Sequence, residues 1–110
     1  MGKLDNKVAI ITGASSGIGK DTSILFTQEG AKVLLVDLDV ENGQKLKENL
    51  NNGEKSDIVE FVKGDVSNNN DWINIVKICI KKFGKIDILF NNAGIMMSSA
   101  GTLEDTNIDV

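Results

Sequence analysis

A glycine-rich segment near the start of the chain has the spacing G-x-x-x-G-x-G and lies between an apolar run, residues 8–11, and an amphipathic stretch. A buried strand that turns through glycines into a helix suits the pyrophosphate of a dinucleotide. Helix N-termini carry unpaired N–H groups and a partial positive charge, and glycines let phosphates approach the backbone closely. A plain glycine-rich turn between a strand and a helix is the alternative interpretation. The candidate cofactor contacts in the segment are Gly13, Ser15, Ser16, Gly17, Ile18 and Gly19.

The second apolar run of the chain ends in a carboxylate, Asp37, which lies 18 residues after Gly19. At that place it can accept hydrogen bonds from the ribose 2′- and 3′-hydroxyls of an adenosine, and it repels a 2′-phosphate. The neighbouring candidates Ser16 and Leu38 carry no positive charge that could pair with such a phosphate. The sequence therefore predicts NAD rather than NADP. Asp37 could instead serve only as a helix cap, although Asp39 is available for that role.

Two further segments follow apolar runs that we predict to be strands. They are Gly64-Asp65-Val66 and Asn91-Asn92-Ala93-Gly94. Together with Thr12 in front of the glycine-rich segment, these segments in this order resemble the short-chain dehydrogenase/reductase family. The resemblance covers residues 7–110 and the cofactor-binding half of such an enzyme.

The resemblance implies roles for the two later segments. In the family, the side chain that matches Asp65 meets the adenine amino group, and the backbone N–H that matches Val66 reads the ring. The small residues that match Asn92, Ala93 and Gly94 let the backbone lie against the cofactor ribose. Each segment also has a plainer interpretation, because Asp and Asn side chains commonly stabilise the turns at strand ends.

The resemblance further implies an oxidoreductase that transfers hydride between NAD(H) and a small-molecule alcohol or ketone. The family's catalytic Ser, its Tyr-x-x-x-Lys pair and the Asn of its proton relay match no position here, and the chain contains no Tyr. No catalytic residue is therefore assigned, and we expect the chain alone to be inactive. The alternative class is a non-catalytic nucleotide-binding module with a regulatory or partner-binding role.

Hydrophobic patterning predicts the elements that position these residues, in the order β-α-β-α-β-α-β. The predicted strands are residues 7–12, 32–37, 58–63 and 86–90, and Asp39 and Ser67 are predicted to cap the second and third helices. Apolar spacing predicts buried helix faces, with Ile18, Thr22, Leu25 and Phe26 on the first helix and Trp72, Ile73, Val76, Cys79, Ile80 and Phe83 on the third. The fold class is α/β, a three-layer, Rossmann-like, doubly wound parallel sheet with strand order 3-2-1-4. Residues 1–110 would form the N-terminal part of one NAD-binding domain.

Composition excludes several other classes of protein. The net charge of −4 argues against a nucleic-acid surface, and no apolar run is long enough to predict a membrane span. With no His and one Cys, the chain cannot assemble a zinc site or a Ser-His-Asp triad, so no metal is predicted. The single Cys suits a reducing compartment, which predicts a cytoplasmic protein, and Cys79 is interpreted as a core residue.

The last residues have the pattern of a helix start, because Thr106 and Asp109 have the spacing of a capping box. A helix that ends at Val110 would not be stable, so the chain is interpreted as a truncated piece of a longer enzyme. We expect the complete enzyme to be a homo-oligomer. In the 110-residue chain the fourth strand would lack a neighbour on one side, so we expect this chain to self-associate along that edge.

Overall fold

Strands and helices alternate along the chain, and four parallel strands form one sheet. A computed structural model of the protein describes residues 2–51 and 57–92. The elements in chain order are β1 (Val8–Thr12), α1 (Gly17–Gln28), β2 (Lys32–Asp37), α2 (Val40–Leu50), β3 (Val59–Lys63), α3 (Asn69–Phe83) and β4 (Ile88–Asn91). The sheet order is β3-β2-β1-β4, so the predicted fold class and strand order are confirmed.

The two central strands are apolar on both faces. Every residue of β1 is buried, and so are residues 33–36 of β2. Since side chains alternate along a strand, one set faces α1 and α2 and the other faces α3. The first layer contains Ala9, Ile11, Val33, Leu35, Leu46 and Phe61, and the second contains Val8, Ile10, Leu34, Val36, Ile75 and Cys79. Helices therefore cover both faces of the sheet.

The predicted buried face of α1 is wrong at two positions. Ile18 is 67% exposed and Leu25 is 52% exposed, whereas Gly19 and Ser23 are buried. Small residues at Gly19 and Ser23 let the helix axis lie close to the sheet, and the Ser23 hydroxyl donates to the Gly19 carbonyl at 2.8 Å. The larger side chains at the predicted positions therefore turn outward, while Phe26 packs against the first layer as expected.

The predicted face of α3 is also rotated. Ile73 and Ile80 are exposed, whereas Ile75, which was not predicted, is fully buried with Cys79. Isoleucines recur all around this helix, so apolar spacing alone does not fix which of them faces the sheet. Trp72 and Phe83 pack against the second layer, as predicted.

The cap predicted for α3 is off by one residue. Asn68 is the N-cap, and its Oδ1 accepts from the backbone N–H of Asp71 at 3.0 Å. The Ser67 hydroxyl donates instead to Asp65 Oδ1 at 2.6 Å, because that carboxylate competes for it. The cap predicted for α2 is confirmed, since Asp39 accepts from the N–H of Asn42 at 3.1 Å.

Three strands begin later than predicted, β1 and β3 by one residue and β4 by two. Ahead of β4, the carboxylate of Asp87 accepts from the N–H of Val8 at 2.8 Å and lies 3.2 Å from the Lys85 ammonium. The N–H of Asp87 also donates to the Val8 carbonyl at 2.8 Å, so backbone and side chain of Asp87 both join this segment to the start of β1.

The outer edge of β3 is closed by side chains. The N–H of Val33 donates to the carbonyl of Ile58 at 2.9 Å, so the alternation of the ladder points the backbone groups of Val59 away from β2. The Asn51 amide bonds both of them, donating to the Val59 carbonyl at 2.8 Å and accepting from its N–H at 3.0 Å. The N–H of Phe61, also outward, donates to the carboxylate of Glu60 at 3.1 Å. Asn51 and Glu60 thus occupy positions that a neighbouring strand would need.

None of α1, α2 and α3, the helices within the described ranges, is long and apolar enough to cross a lipid bilayer.

We predict that Asn51→Ala lowers the free energy of unfolding by about 1–2 kcal/mol, because the two backbone groups of Val59 lose their partners. The variant should also self-associate more strongly through the exposed edge. Urea unfolding and sedimentation velocity measure the two effects. Asn49→Ala is the matched control, since Asn49 is exposed on α2, two residues before Asn51. Equal stability and equal sedimentation of both variants would contradict the role of Asn51.

Candidate nucleotide-binding site

The glycine-rich segment connects β1 to α1 through two residues in the left-handed region, Gly13 at φ +61° and Gly17 at φ +57°. Ser16 is the N-cap of α1, but its side chain makes no capping hydrogen bond, and the first turn has no acidic residue. The first-turn N–H groups are therefore not neutralised by the helix's own side chains, which is the condition for binding an anion there. Ile18 lies beside them, exposed.

Gly19 is the residue on which the packing of this segment depends. A Cβ on Gly19 would collide with the backbone of Gly13, at its carbonyl, and would crowd the Cα of Ala14. At Gly17, by contrast, a Cβ would meet no atom within 4 Å. Gly19 therefore lets α1 lie directly against the turn. Gly17 adopts the left-handed conformation that the turn needs and leaves open space at the N-terminus of the helix.

Asp37 lies at the carboxyl end of β2 and is bonded to the glycine-rich segment. Its Oδ2 accepts from the backbone N–H of Ser15 at 3.0 Å and from the Ser15 hydroxyl at 2.7 Å. Its Oδ1 accepts from the N–H of Asp39 at 3.1 Å. Burial by itself raises the pKa of Asp37, but the hydrogen bonds from Ser15, Asp39 and Leu38 outweigh it and hold the pKa below its usual value. The side chain is therefore an anion at neutral pH.

A cleft of about 100 Å³ lies at the carboxyl ends of β1, β2 and β3. Leu38, 58% exposed, lies at its rim. The lining residues are Thr12, Gly13, Val36, Asp37, Leu38, Gly64, Asp65 and Val66. Five predicted cofactor contacts, Gly13, Asp37, Leu38, Asp65 and Val66, therefore meet in one place. A larger cavity, about 410 Å³, lies between β3 and α3 near Phe61, Ile78 and Lys82, and none of the predicted site residues lines it.

Asp65 forms the turn that follows β3. Its Oδ1 accepts from the N–H of Ser67 at 3.0 Å and from the Ser67 hydroxyl, and these bonds lower the pKa of Asp65. The N–H of Asp65 donates to Asp71 Oδ2 at 2.9 Å, which ties the turn to the first turn of α3. Asp65 therefore has the turn-forming role, and the adenine contact stays a prediction. Sequence reasoning missed the bonds of Asp65 with Ser67 and Asp71, although Asp followed two residues later by Ser is a known turn pattern.

The end of β4 is joined to the glycine-rich segment by side chains. The Thr12 hydroxyl donates to Asn91 Oδ1 at 2.9 Å, and Asn92 Nδ2 donates to the carbonyl of Gly13 at 3.3 Å. Asn92 thus holds the turn that begins the candidate site. Ala93 and Gly94, the other predicted contacts of this segment, lie outside the described residues.

Two other kinds of site receive no support from the described part of the chain. Cys79 is fully buried, and burial raises the pKa of its thiol to about 11, so the nucleophilic thiolate is scarce at neutral pH. Its Sγ lies 3.6 Å from the Lys85 carbonyl. Within residues 2–51 and 57–92, no group of three or more His, Cys, Asp or Glu side chains could hold a metal ion.

Comparison with known sequences agrees with the family resemblance that the motifs indicate. A family model described as short chain dehydrogenase matches residues 7–110. The protein named Short-chain dehydrogenase reductase 3a, from Arabidopsis thaliana, is 42% identical over 107 residues, which are 97% of this chain and 40% of that protein.

Solved structures agree with the sequence comparison. A short-chain dehydrogenase/reductase from Burkholderia phymatum in complex with NAD matches with a TM-score of 0.74 and 32% identity, over 82% of this chain and 31% of that one. The 3-ketoacyl-(acyl-carrier-protein) reductase of Brucella melitensis complexed with NADH matches with a TM-score of 0.73 and 36% identity, over 80% of this chain and 34% of that one. The chain spans less than half the length of each of these proteins.

We predict that Gly19→Ala lowers the free energy of unfolding by about 1–3 kcal/mol, because the new methyl group would force apart the backbones of α1 and the turn. Gly17→Asn is the matched variant in the same segment. It should cost less than about 1 kcal/mol, because Asn adopts the left-handed conformation and Gly17 has open space around it. Urea unfolding of both variants tests the difference, and a tolerated Gly19→Ala would contradict the packing described.

Proposed function

The chain belongs to the short-chain dehydrogenase/reductase family, and from this we propose that it is the NAD-binding part of an oxidoreductase that transfers hydride between NAD(H) and an alcohol or ketone. The observation that carries the proposal is the anionic Asp37 in the cleft at the strand ends, bonded to the glycine-rich segment beside the N-terminus of α1. Ligands of open α/β sheets bind at the carboxyl ends of the strands, and this cleft lies there.

The residues present fit a dinucleotide. The uncapped first turn of α1 and the open space at Gly17 suit a pyrophosphate, which needs N–H donors and close approach. An ionised carboxylate can accept several hydrogen bonds on its two oxygens, and Asp37 accepts from Ser15, Asp39 and Leu38. Since Asp37 also lines the cleft, a ribose hydroxyl there could share or replace one of these bonds. Asp65, across the cleft, and Val66 would border the adenine.

The negative charge of Asp37 favours NAD over NADP. A 2′-phosphate placed beside Asp37 would meet an anion, and neither Ser16 nor Leu38 offers a compensating positive charge. Lys63 is the register partner of Asp37 in the sheet, but its side chain is exposed, and none of the described ion pairs joins the two. The nearest fixed donors to the carboxylate are those of Ser15, which stabilise the negative charge.

The nicotinamide would supply the hydride chemistry once NAD is bound. This chain's residues would hold the adenosine and the pyrophosphate, and no Tyr or His among its 110 residues could act as the proton donor to a ketone. The family's catalytic Ser and Tyr-x-x-x-Lys have no counterparts here. In this proposal the alcohol or ketone is therefore the substrate of a longer, homo-oligomeric enzyme. We also propose a cytoplasmic location, since a single Cys suits a reducing compartment.

A second candidate is a non-catalytic nucleotide-binding module with a regulatory or partner-binding role. The observation that favours it is the absence of Tyr and His from a chain that carries a nucleotide-binding pattern. Sequencing the transcript beyond codon 110 separates the two candidates. An open frame that encodes Tyr-x-x-x-Lys supports the enzyme, and an expressed transcript that stops there supports the module.

We predict that wild-type protein binds NAD and ADP-ribose more tightly than their 2′-phosphorylated forms, and that Asp37→Ala narrows the ratio of affinities about tenfold or more. The reason is that the variant loses both the ribose acceptor and the charge that repels the phosphate. Calorimetric titration of the full chain with both cofactors measures the ratio. Asp39→Ala is the control, because it removes the α2 cap and about 1 kcal/mol of stability but leaves the Asp37 side chain in place. Equal affinities in the wild type would refute the assignment of Asp37.

We also predict no dehydrogenase turnover by the purified 110-residue chain. A positioned acid or base typically contributes ~10²–10⁴-fold to such a reaction, and the family's group for this step is missing. Absorbance of NADH during incubation with NAD and a panel of secondary alcohols measures turnover. Formation of NADH faster than by a Gly17→Ala variant would contradict the prediction.

A further inference from the structure

Both hydrogen-bond donors of Ser15 are given to one carboxylate oxygen. Its N–H lies 3.0 Å and its hydroxyl 2.7 Å from Asp37 Oδ2. Ser15 is only 8% exposed, so these two bonds are largely shielded from water. Short bonds to an ionised acceptor are among the stronger hydrogen bonds in proteins. The pair joins the turn after β1 to the end of β2.

Ser16, the next residue, has the opposite environment. It is exposed, and as the N-cap of α1 it makes no side-chain hydrogen bond to the helix. The sequence analysis predicted the same role for both serines, that of a cofactor contact. Ser15 would have to give up two bonds to an anion before it could serve in this way, whereas Ser16 would give up none.

We propose that Ser15 is a positioning residue for cofactor selection, which acts by fixing the carboxylate of Asp37 rather than by binding the cofactor phosphate. This inference rests on the proposed function, because it assumes that Asp37 meets the adenosine ribose. With Oδ2 held by Ser15 and Oδ1 by the N–H of Asp39, the carboxylate has one orientation before the cofactor arrives. A carboxylate held in this way binds ribose hydroxyls without first losing rotational freedom, and its charge stays beside the position of a 2′-phosphate.

Five variants of the full chain, as its gene encodes it, test this positioning role by calorimetric titration with NAD and with NADP. Ser15→Ala should lower the NAD:NADP affinity ratio about tenfold, because the carboxylate loses its stronger donor. Ser15→Thr should keep the wild-type ratio, since Thr retains the backbone N–H and the hydroxyl that donate to Asp37, and residue 15 lines a cavity of about 150 Å³. Asn49→Ala, the control, should leave the ratio unchanged, because Asn49 lines the same cavity but makes none of the bonds to Asp37.

The double variant Ser15→Ala/Asp37→Ala distinguishes positioning from direct contact. If Ser15 acts through Asp37, removing Ser15 in the Asp37→Ala background changes the ratio no further. Additive effects of the two substitutions would overturn the inference, and so would an unchanged ratio in Ser15→Ala. In both of these outcomes Asp37→Ala still narrows the ratio, and the proposed function stands. A wild-type chain that binds NAD and NADP equally, or neither, overturns the inference and the Asp37 assignment together.

Discussion

Burial of β1 and β2 on both faces is the constraint on which the rest of the structure depends. Successive side chains of these strands point to opposite faces of the sheet and are apolar, so helices have to cover both faces. Parallel strands joined by helices bring all their carboxyl ends to the same edge. Within the two central strands the backbone groups are paired, and polar side chains are accommodated only where the strands end. The chemistry of the molecule is therefore concentrated along one edge of the sheet.

Hydrogen bonds between segments that follow neighbouring strands hold the carboxyl ends of those strands together. Ser15 joins the loop after β1 to Asp37 at the end of β2, and Asn92 joins the end of β4 to the carbonyl of Gly13. Thr12 contacts Asn91 in the same region. Each bond connects residues that are far apart in the chain but adjacent at the strand ends. Thr12, Gly13 and Asp37 thus take part in these bonds and also line the cleft, so a substitution at one of them would change the local order of the cleft.

The sequence predicted features that depend on residues adjacent in the chain. It was misleading about the rotation of helices around their axes and about side chains that compete for the same hydrogen-bond partner. Apolar runs that end at Asp37 or just before Asn91 predicted the strands, and they also predicted where the candidate site would lie, because a buried strand and its polar end are adjacent in the chain. The faces of α1 and α3 were wrong at Ile18 and Ile73, since several rotations of a helix give similar apolar stripes. Ser67 lost the capping role to its neighbour because Asp65 binds its hydroxyl, a competition between residues that composition does not reveal.

The closed edge of β3 has a consequence for the order in which the sheet assembles. Asn51 reaches Val59 across only eight residues, so this contact has a low entropic cost and can form early. The bond between Thr12 and Asn91 spans 79 residues, so the pairing of β4 with β1 requires the closure of almost the whole chain and forms later. In a nascent sheet of β3, β2 and β1, the outer edge of β3 would therefore already be protected from pairing with another chain. During synthesis, only the β1 side of such an intermediate would offer a free ladder to a neighbouring chain.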